Sequence, residues 1–238
     1  YNVEPIFGYG SDEGPYDASS PAIIRDMAKC IKCQRCVRAC SELQGMYIYS
    51  MTERGYKTLP MTPFEIPVYE TECTSCGQCA LFCPTGAIVE NSAVRVVLEE
   101  LEKKEKILIV QTAPSVRVAI GEEFGMAPGT ISTGQMVAAL RRLGFDYVFD
   151  TNFGADLTIV EEGNEFLKRL QEGDLDEMPM FTSCCPAWVN LVEKVYPQLR
   201  TRLSSAKSPQ GMLSALVKSY FAEKLGVSPE DIFHVSIM

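Results

Sequence analysis

The sequence predicts an α+β domain organised by cysteines, followed by an α/β lobe built on a parallel sheet. Three observations carry this reading. Eight of the ten cysteines fall between Cys30 and Cys83, in two matching runs. From Lys106 onward, short apolar runs alternate with helical patterns, as in a parallel sheet with crossover helices. Between the two parts, residues 99–106 (EELEKKEK) are a charged helical run, best read as a solvated face and a boundary. The expected organisation is a linker or arm over 1–20, a first domain over 21–98 and a second over 99–238.

Residues 1–20 are rich in Gly, Pro, Ser, Asp and Tyr and show no sustained period. Ile107–Val110 (ILIV) reads as a strand buried on both faces. Residues 134–143 form a helix stopped by Gly144. A second strand covers 147–149. A helix over 155–170 follows, with Leu157, Val160, Phe166, Leu167 and Leu170 as its apolar positions. Residues 178–181 (MPMF) read as a short third strand, and Pro186 opens a helix reaching about residue 196. Another helix covers about 209–225, and 232–237 (IFHVSI) is the last strand. In such sheets functional groups gather at the carboxyl ends of the strands.

Composition narrows the function. The chain has 238 residues, 46% of them hydrophobic and 22% charged, which is ordinary for a globular protein. A formal charge of −9 leaves no basic excess for binding nucleic acid. No apolar run approaches the ~18 residues of a membrane span, and no secretory leader pattern is present. The chain opens on Tyr1, so an earlier segment is expected.

The first cysteine run is Cys30-x2-Cys33-x2-Cys36-x3-Cys40, and the second is Cys73-x2-Cys76-x2-Cys79-x3-Cys83-Pro84. This is the bacterial ferredoxin spacing for 4Fe-4S clusters, in which three close cysteines cap a cubane and the fourth ligand comes from the other run. The reading is a ferredoxin-like two-cluster domain. Cys30, Cys33, Cys36 and Cys83 hold one cluster, and Cys73, Cys76, Cys79 and Cys40 hold the other. Zinc sites and disulfides are the competing readings, but zinc pairs stand farther apart and disulfides need an oxidising compartment. Gly77 and Gly86 either let amides approach sulfide or serve as turn glycines. Lys29, Lys32, Arg35 and Arg38 surround the first run, while Glu70 and Glu72 flank the second. The bases could raise one potential or dock an acidic electron carrier, although a solvated basic face explains them too.

Thr182-Ser183-Cys184-Cys185-Pro186-Ala187-Trp188 sits at a strand-to-helix turn. Taken alone, the two cysteines could be a ligand beside a free thiol, or two buried structural thiols. His234, the sole histidine, reads as packed within a strand. The segment TSCCPAW resembles the first signature of the iron-only (FeFe) hydrogenases, usually TSCCPGW. QTAPSVR (111–117), FDTNFGADLTIVEE (149–162), LSSAKSPQ (203–210) and the terminal VSIM extend that resemblance along the chain. It implies a catalytic-subunit segment that relays electrons through two 4Fe-4S clusters toward an H-cluster, a cubane joined to a two-iron unit where H2 and protons interconvert. Cys185 then matches a ligand of the H-cluster cubane and Cys184 the thiol that exchanges protons. Glu162, Ser204, Glu165 and Arg169 match the rest of a proton path. Ala113, Pro114, Ser208, Gln210 and Met238 match residues lining the two-iron unit.

The family's later signatures carry further cysteines and a lysine beyond the position of Met238. The resemblance therefore implies a C-terminally incomplete catalytic lobe, with the H-cluster expected only in the complete protein. Ala187 in place of the usual Gly resembles the multisubunit branch. There the partners are a flavin subunit using NAD(P), ferredoxin or a formate dehydrogenase, and a cytoplasmic location follows. Two other functions compete: a non-catalytic hydrogenase-like iron-sulfur assembly or carrier protein, and a plain electron-transfer module. Cys184 and Glu162 argue against the first, and residues 106–238 would be idle in the second.

Overall fold

The computed structural model describes residues 14–173 and 178–238. The expected arm over 1–20 lies outside the described residues as far as 13. Beyond that, Tyr16–Asp17 (β1) is not a free arm, because it pairs antiparallel with Ile23–Asp26 (β2). The chain forms two compact units, one of residues 14–92 and 186–200, the other of 93–173, 178–185 and 201–238.

In the first unit, β2 also pairs antiparallel with Ile88–Glu90 (β5), giving the order β1-β2-β5. Ser50–Thr52 (β3) and Leu59–Met61 (β4) form a separate antiparallel pair. Two four-residue helices, Arg35–Arg38 (α1) and Gln78–Leu81 (α2), each begin inside a cysteine run. The core contains Ile23, Ile48, Tyr49, Val68 and Ile88 together with Cys36, Cys40 and Cys79. A unit this small has few aliphatic side chains to bury, so its cysteines stand in the core and its stability depends on what binds them.

The second unit begins at Ala93. Val94–Lys103 (α3) covers part of the charged run, and its Val97 and Leu101 pack on the sheet behind. Ile107–Thr112 (β6) is the middle strand, flanked in parallel by Tyr147–Asp150 (β7) and Ile232–Ile237 (β8). Alternation along β6 builds both layers. After β6 comes the short helix Val116–Ala119 (α4), and Leu108 and Val110 face Met136 and Leu140 of Thr133–Leu143 (α5), with Phe145. Ile109 faces Leu213 and Val217. These belong to Pro209–Leu216 (α8) and the wider helical turn 217–221 that continues it to Leu225. Ile109 and Val110 have no exposed surface, and each contributes roughly 1.5–3 kcal/mol by burial. Gly144 ends α5 at φ 113°, a conformation that L side chains rarely adopt.

Thr151–Glu172 (α6) is longer than the spacing predicts, because Asp150 caps it by accepting a hydrogen bond from the Asn152 amide at 3.0 Å. Its expected apolar positions Val160, Phe166, Leu167 and Leu170 are exposed, while Gly154, Thr158 and Arg169 are buried. The third strand expected over 178–181 does not form. Only Phe181 makes a bridge, parallel to Leu203, because Pro179 has no N–H to donate to a ladder. Pro186–Val195 (α7) opens with its proline as expected, and groups with the first unit.

His234 is packed within β8, and its Nε2 has no partner among the described residues. Burial, then the Lys218 ammonium, lowers its pKa to about 4. Between pH 6.5 and 4 the unfolded chain therefore takes up a proton that the folded chain refuses, and stability falls with pH across that window. In circular dichroism melts, His234→Phe should lose less Tm than wild type between pH 7 and pH 5. Equal losses would show that His234 does not titrate this way.

Candidate functional site

The two cysteine runs keep their duplication in the backbone. The Lys32 amide donates to Cys30 Sγ at 3.3 Å, and the Ser75 amide to Cys73 Sγ at 3.4 Å. Lys32 and Ser75 both have φ 61°, and Gln34 and Gly77 start α1 and α2 at φ 62° and 76°. A Cβ at Gly77 would meet nothing within 4 Å, so its positive φ, not a close approach to protein atoms, is what calls for glycine. At the ends of the runs, the amides of Ile48 and Ile88 donate to Cys40 Sγ at 3.3 Å and Cys83 Sγ at 3.4 Å.

The runs also cross. Cys30, Cys33, Cys36 and Cys83 together line one small pocket, walled by Met27, Ile31, Pro60 and Ile88. Burial raises the Cys40 thiol, and after the opposing Ile48 amide the next influences are Cys73 and, further down, Cys76 of the other run. Burial likewise pushes Cys36 up to about 11 and Cys79 up to about 12. Buried thiols of this kind stay protonated and inert unless a metal takes the proton's place. None of the ten cysteines is in a disulfide. No three Cys, His, Asp or Glu among the described residues converge tightly enough for a single ion, whereas a cubane spreads its sulfurs more widely. The donor chemistry therefore fits two cubanes.

Of the bases near the first run, Lys29 pairs with Asp26 and Arg38 with Glu42, both at 2.9 Å and both largely exposed. Lys32 donates to the Tyr56 carbonyl. They form a solvated face. The second run is anchored by α7, where Lys194 donates to the carbonyls of Cys73 (2.8 Å) and Thr71 (3.1 Å), and Asn190 to that of Thr74 (3.2 Å).

In the second unit, Ala113 and Pro114 follow β6, and Met238 follows β8, at the same end of the parallel sheet. Ser208 caps α8, accepting from the Gly211 amide at 3.1 Å. Gln210 donates to Ser214 and Ser236, at 3.2 and 2.9 Å. Gln111, which sequence reasoning passed over, is 1% exposed and donates to the same two serines and to the Gln210 carbonyl. Its signal was a polar residue closing an apolar strand.

Cys184 and Cys185 are exposed. They follow Ser183, whose hydroxyl donates to the Ala206 carbonyl at 2.7 Å, while Phe181 and Ser204 share a 2.7 Å backbone bond. Ser204 in turn donates to Glu165 Oε2 at 3.1 Å. Glu165 also accepts from Arg169 (2.5 Å) and from the amide and hydroxyl of Ser205 (3.0 and 3.1 Å), the last unforeseen from sequence. Burial works to raise the Glu165 pKa, but the bonds from Arg169, Ser205 and Ser204 outweigh it and hold the carboxyl below its usual range. Arg169, 9% exposed, also donates to the carbonyls of Thr201 and Leu203. The structure thus joins Ser204, Glu165 and Arg169. Among the described residues, no hydrogen bond joins Cys184 or half-buried Glu162 to them.

These features define a redox protein: an iron-sulfur relay domain and a parallel-sheet lobe with a buried acid–hydroxyl–guanidinium chain. Residues 29–87 match the 4Fe-4S dicluster domain, and residues 106–238 match the iron only hydrogenase large subunit, C-terminal domain. The chain belongs to the iron-only hydrogenase large-subunit family. It is 48% identical to the NADP-reducing hydrogenase subunit HndD of Solidesulfovibrio fructosivorans, over 97% of this chain and 42% of that protein. It is 42% identical to iron hydrogenase 1 of Clostridium pasteurianum, over 93% of this chain and 38% of the relative. A solved variant of the FeFe hydrogenase HydA1 from Chlamydomonas reinhardtii superposes with a TM-score of 0.59 at 56% identity, covering 62% of this chain and 37% of that one. The chain thus spans about two fifths of the length of these curated relatives.

Proposed function

We propose that this chain is the electron-relay domain and the proton-path side of the active site of an iron-only hydrogenase catalytic subunit, which interconverts H2 with two protons and two electrons. The observation that carries it is the Ser204–Glu165–Arg169 chain, built into a lobe joined to two crossed cysteine sets. Cys30, Cys33, Cys36 and Cys83 would hold one cubane, and Cys73, Cys76, Cys79 and Cys40 the other. For the H-cluster the segment offers one of the four thiolates a cubane needs, Cys185, so its donor set is only partly present here. When bound, the cubanes carry single electrons, and the two-iron unit is where protons and H2 interconvert.

The protein's own part is to move protons. The Cys184 thiol exchanges them at the active-site end, and Glu162, Ser204, Glu165 and Arg169 pass them outward. A carboxylate held at low pKa releases a proton readily, which suits Glu165 to the exit end and makes protonating it from Ser204 the uphill step. Ala113, Pro114, Ser208, Gln210 and Met238 would line the two-iron unit, with the Gln111–Ser214–Ser236 bonds fixing Gln210. Likeness to the NADP-reducing subunit supports electron exchange with partner subunits that serve NADP, and a cytoplasmic location. No described helix is long and apolar enough to cross a membrane.

The test is iron quantification and infrared spectroscopy on the complete protein, purified anaerobically after maturation. More than eight irons with metal-bound CO and cyanide bands are expected. About eight irons with no such bands would leave a relay alone and overturn the hydrogenase reading.

A further inference from the structure

Arg25 is 2% exposed and is one of the largest fully buried side chains of the first unit. Its guanidinium donates to the Pro60 carbonyl at 2.6 Å and touches the Met27 and Met61 sulfurs at 3.7 Å. Among the described residues, its Nε has no partner. No carboxylate is among these contacts. The acid that feels its charge is Asp17, already occupied by the amides of Ser19 and Val68. A guanidinium buried without an anion is costly, and residues of this kind persist where an anion is supplied by something else.

The position of Arg25 identifies that anion. Met27 and Pro60, two of the groups it touches, line the cavity of Cys30, Cys33, Cys36 and Cys83. On another side, the guanidinium lies 4.8 Å from the centre of the Tyr49 ring, and the Tyr49 hydroxyl is 3.9 Å from Cys79 Sγ of the second set. A phenol carries an O–H at neutral pH, so Tyr49 meets a thiolate as a donor.

We propose that Arg25 is a buried counter-charge shared by the two cubanes, and that Tyr49 donates a hydrogen bond to the Cys79 thiolate alone. Arg25 then raises both reduction potentials, and Tyr49 raises one. Reduction adds negative charge to a cubane, so a fixed cation and a donor to sulfur both favour the reduced form. The bases on the surface are screened by solvent, whereas Arg25 is not. Arg25 and Tyr49 are thus positioning residues for the relay, and the inference rests on the assignment of the two cysteine sets as cluster sites.

The experiment is an anaerobic redox titration of the complete protein, followed by low-temperature electron paramagnetic resonance, with iron counted in each sample. Arg25→Gln should shift both cubane equilibria toward the oxidised form by about tenfold at fixed potential, about 59 mV for a one-electron couple. Arg25→Lys, which keeps the charge, should stay near wild type, and Tyr49→Phe should shift one cubane only. Equal shifts for Gln and Lys would show a structural role and overturn the charge role. Should Arg25→Gln fail to assemble, Tyr49→Phe decides, because it deletes a single hydroxyl: movement of neither cubane, or of both alike, overturns the proposal. Wild-type protein without the two cubane signals would instead refute the cluster assignment itself.

Discussion

Cys184→Ala in the complete, matured protein is expected to lower H2 evolution at least about 100-fold, the range lost when a positioned acid or base is removed. The side chain is exposed on a turn whose preceding residue, Ser183, is fixed to the Ala206 carbonyl. That bond and the Phe181–Leu203 bridge hold the turn against the segment carrying Ser204, which is the proximity the proposed proton path needs. A thiol is suited to this because its pKa lies nearer neutrality than that of a hydroxyl. Cys184→Ser should therefore recover little. The neighbouring cysteine gives the control. Cys184→Ala should keep the iron content and infrared bands of wild type, whereas Cys185→Ala should lose them, since it removes the proposed ligand. Activity of Cys184→Ala within a few-fold of wild type would exclude the thiol from the proton path.

How far the sequence could be read depended on how local each constraint is. The cysteine runs were legible because a cubane imposes its spacing on the chain, and the crossing of Cys40 and Cys83 follows from that spacing. Ile107–Val110 and Gly144 were legible because continuous burial and a left-handed cap each demand a narrow set of residues. Residues 178–181 misled because Met, Met and Phe look like a strand, although Pro179 removes a donor and only Phe181 finds a bridge. The apolar positions of α6 misled in the other direction, since its buried face is Gly154, Thr158 and Arg169. Arg25 reads as one more residue in a short strand. What defines it lies 35 residues away at Pro60 and at the ring of Tyr49, and no local pattern reports that. The duplication itself hides a difference: Gln34 adopts the positive φ that Gly77 adopts in the second run.

A close backbone approach in the second unit decides a second large effect. Gly154→Ala should destabilise the protein by roughly 1–3 kcal/mol or more, the cost of overpacking a well-filled interior. A Cβ at this position would lie 2.2 Å from the Pro209 carbonyl oxygen, 3.1 Å from its carbon and 3.2 Å from Leu213 Cβ. The obstacle is backbone, so no rotamer relieves it, and α6 and α8 must move apart. Helix propensity opposes this, favouring Ala over Gly by about 1 kcal/mol within a helix. Gly163, on the same helix, separates the two effects, because a Cβ there meets nothing within 4 Å. Gly163→Ala should therefore raise Tm, and Gly154→Ala should lower it by several degrees. Separation at Gly154 would also displace Ser208 and Gln210 at the start of α8 from the end of the sheet, so H2 evolution should fall more than stability alone explains. Equal, favourable shifts in Tm at both glycines would mean that α6 and α8 are not held at this distance, and that Gln210 is not placed by their contact.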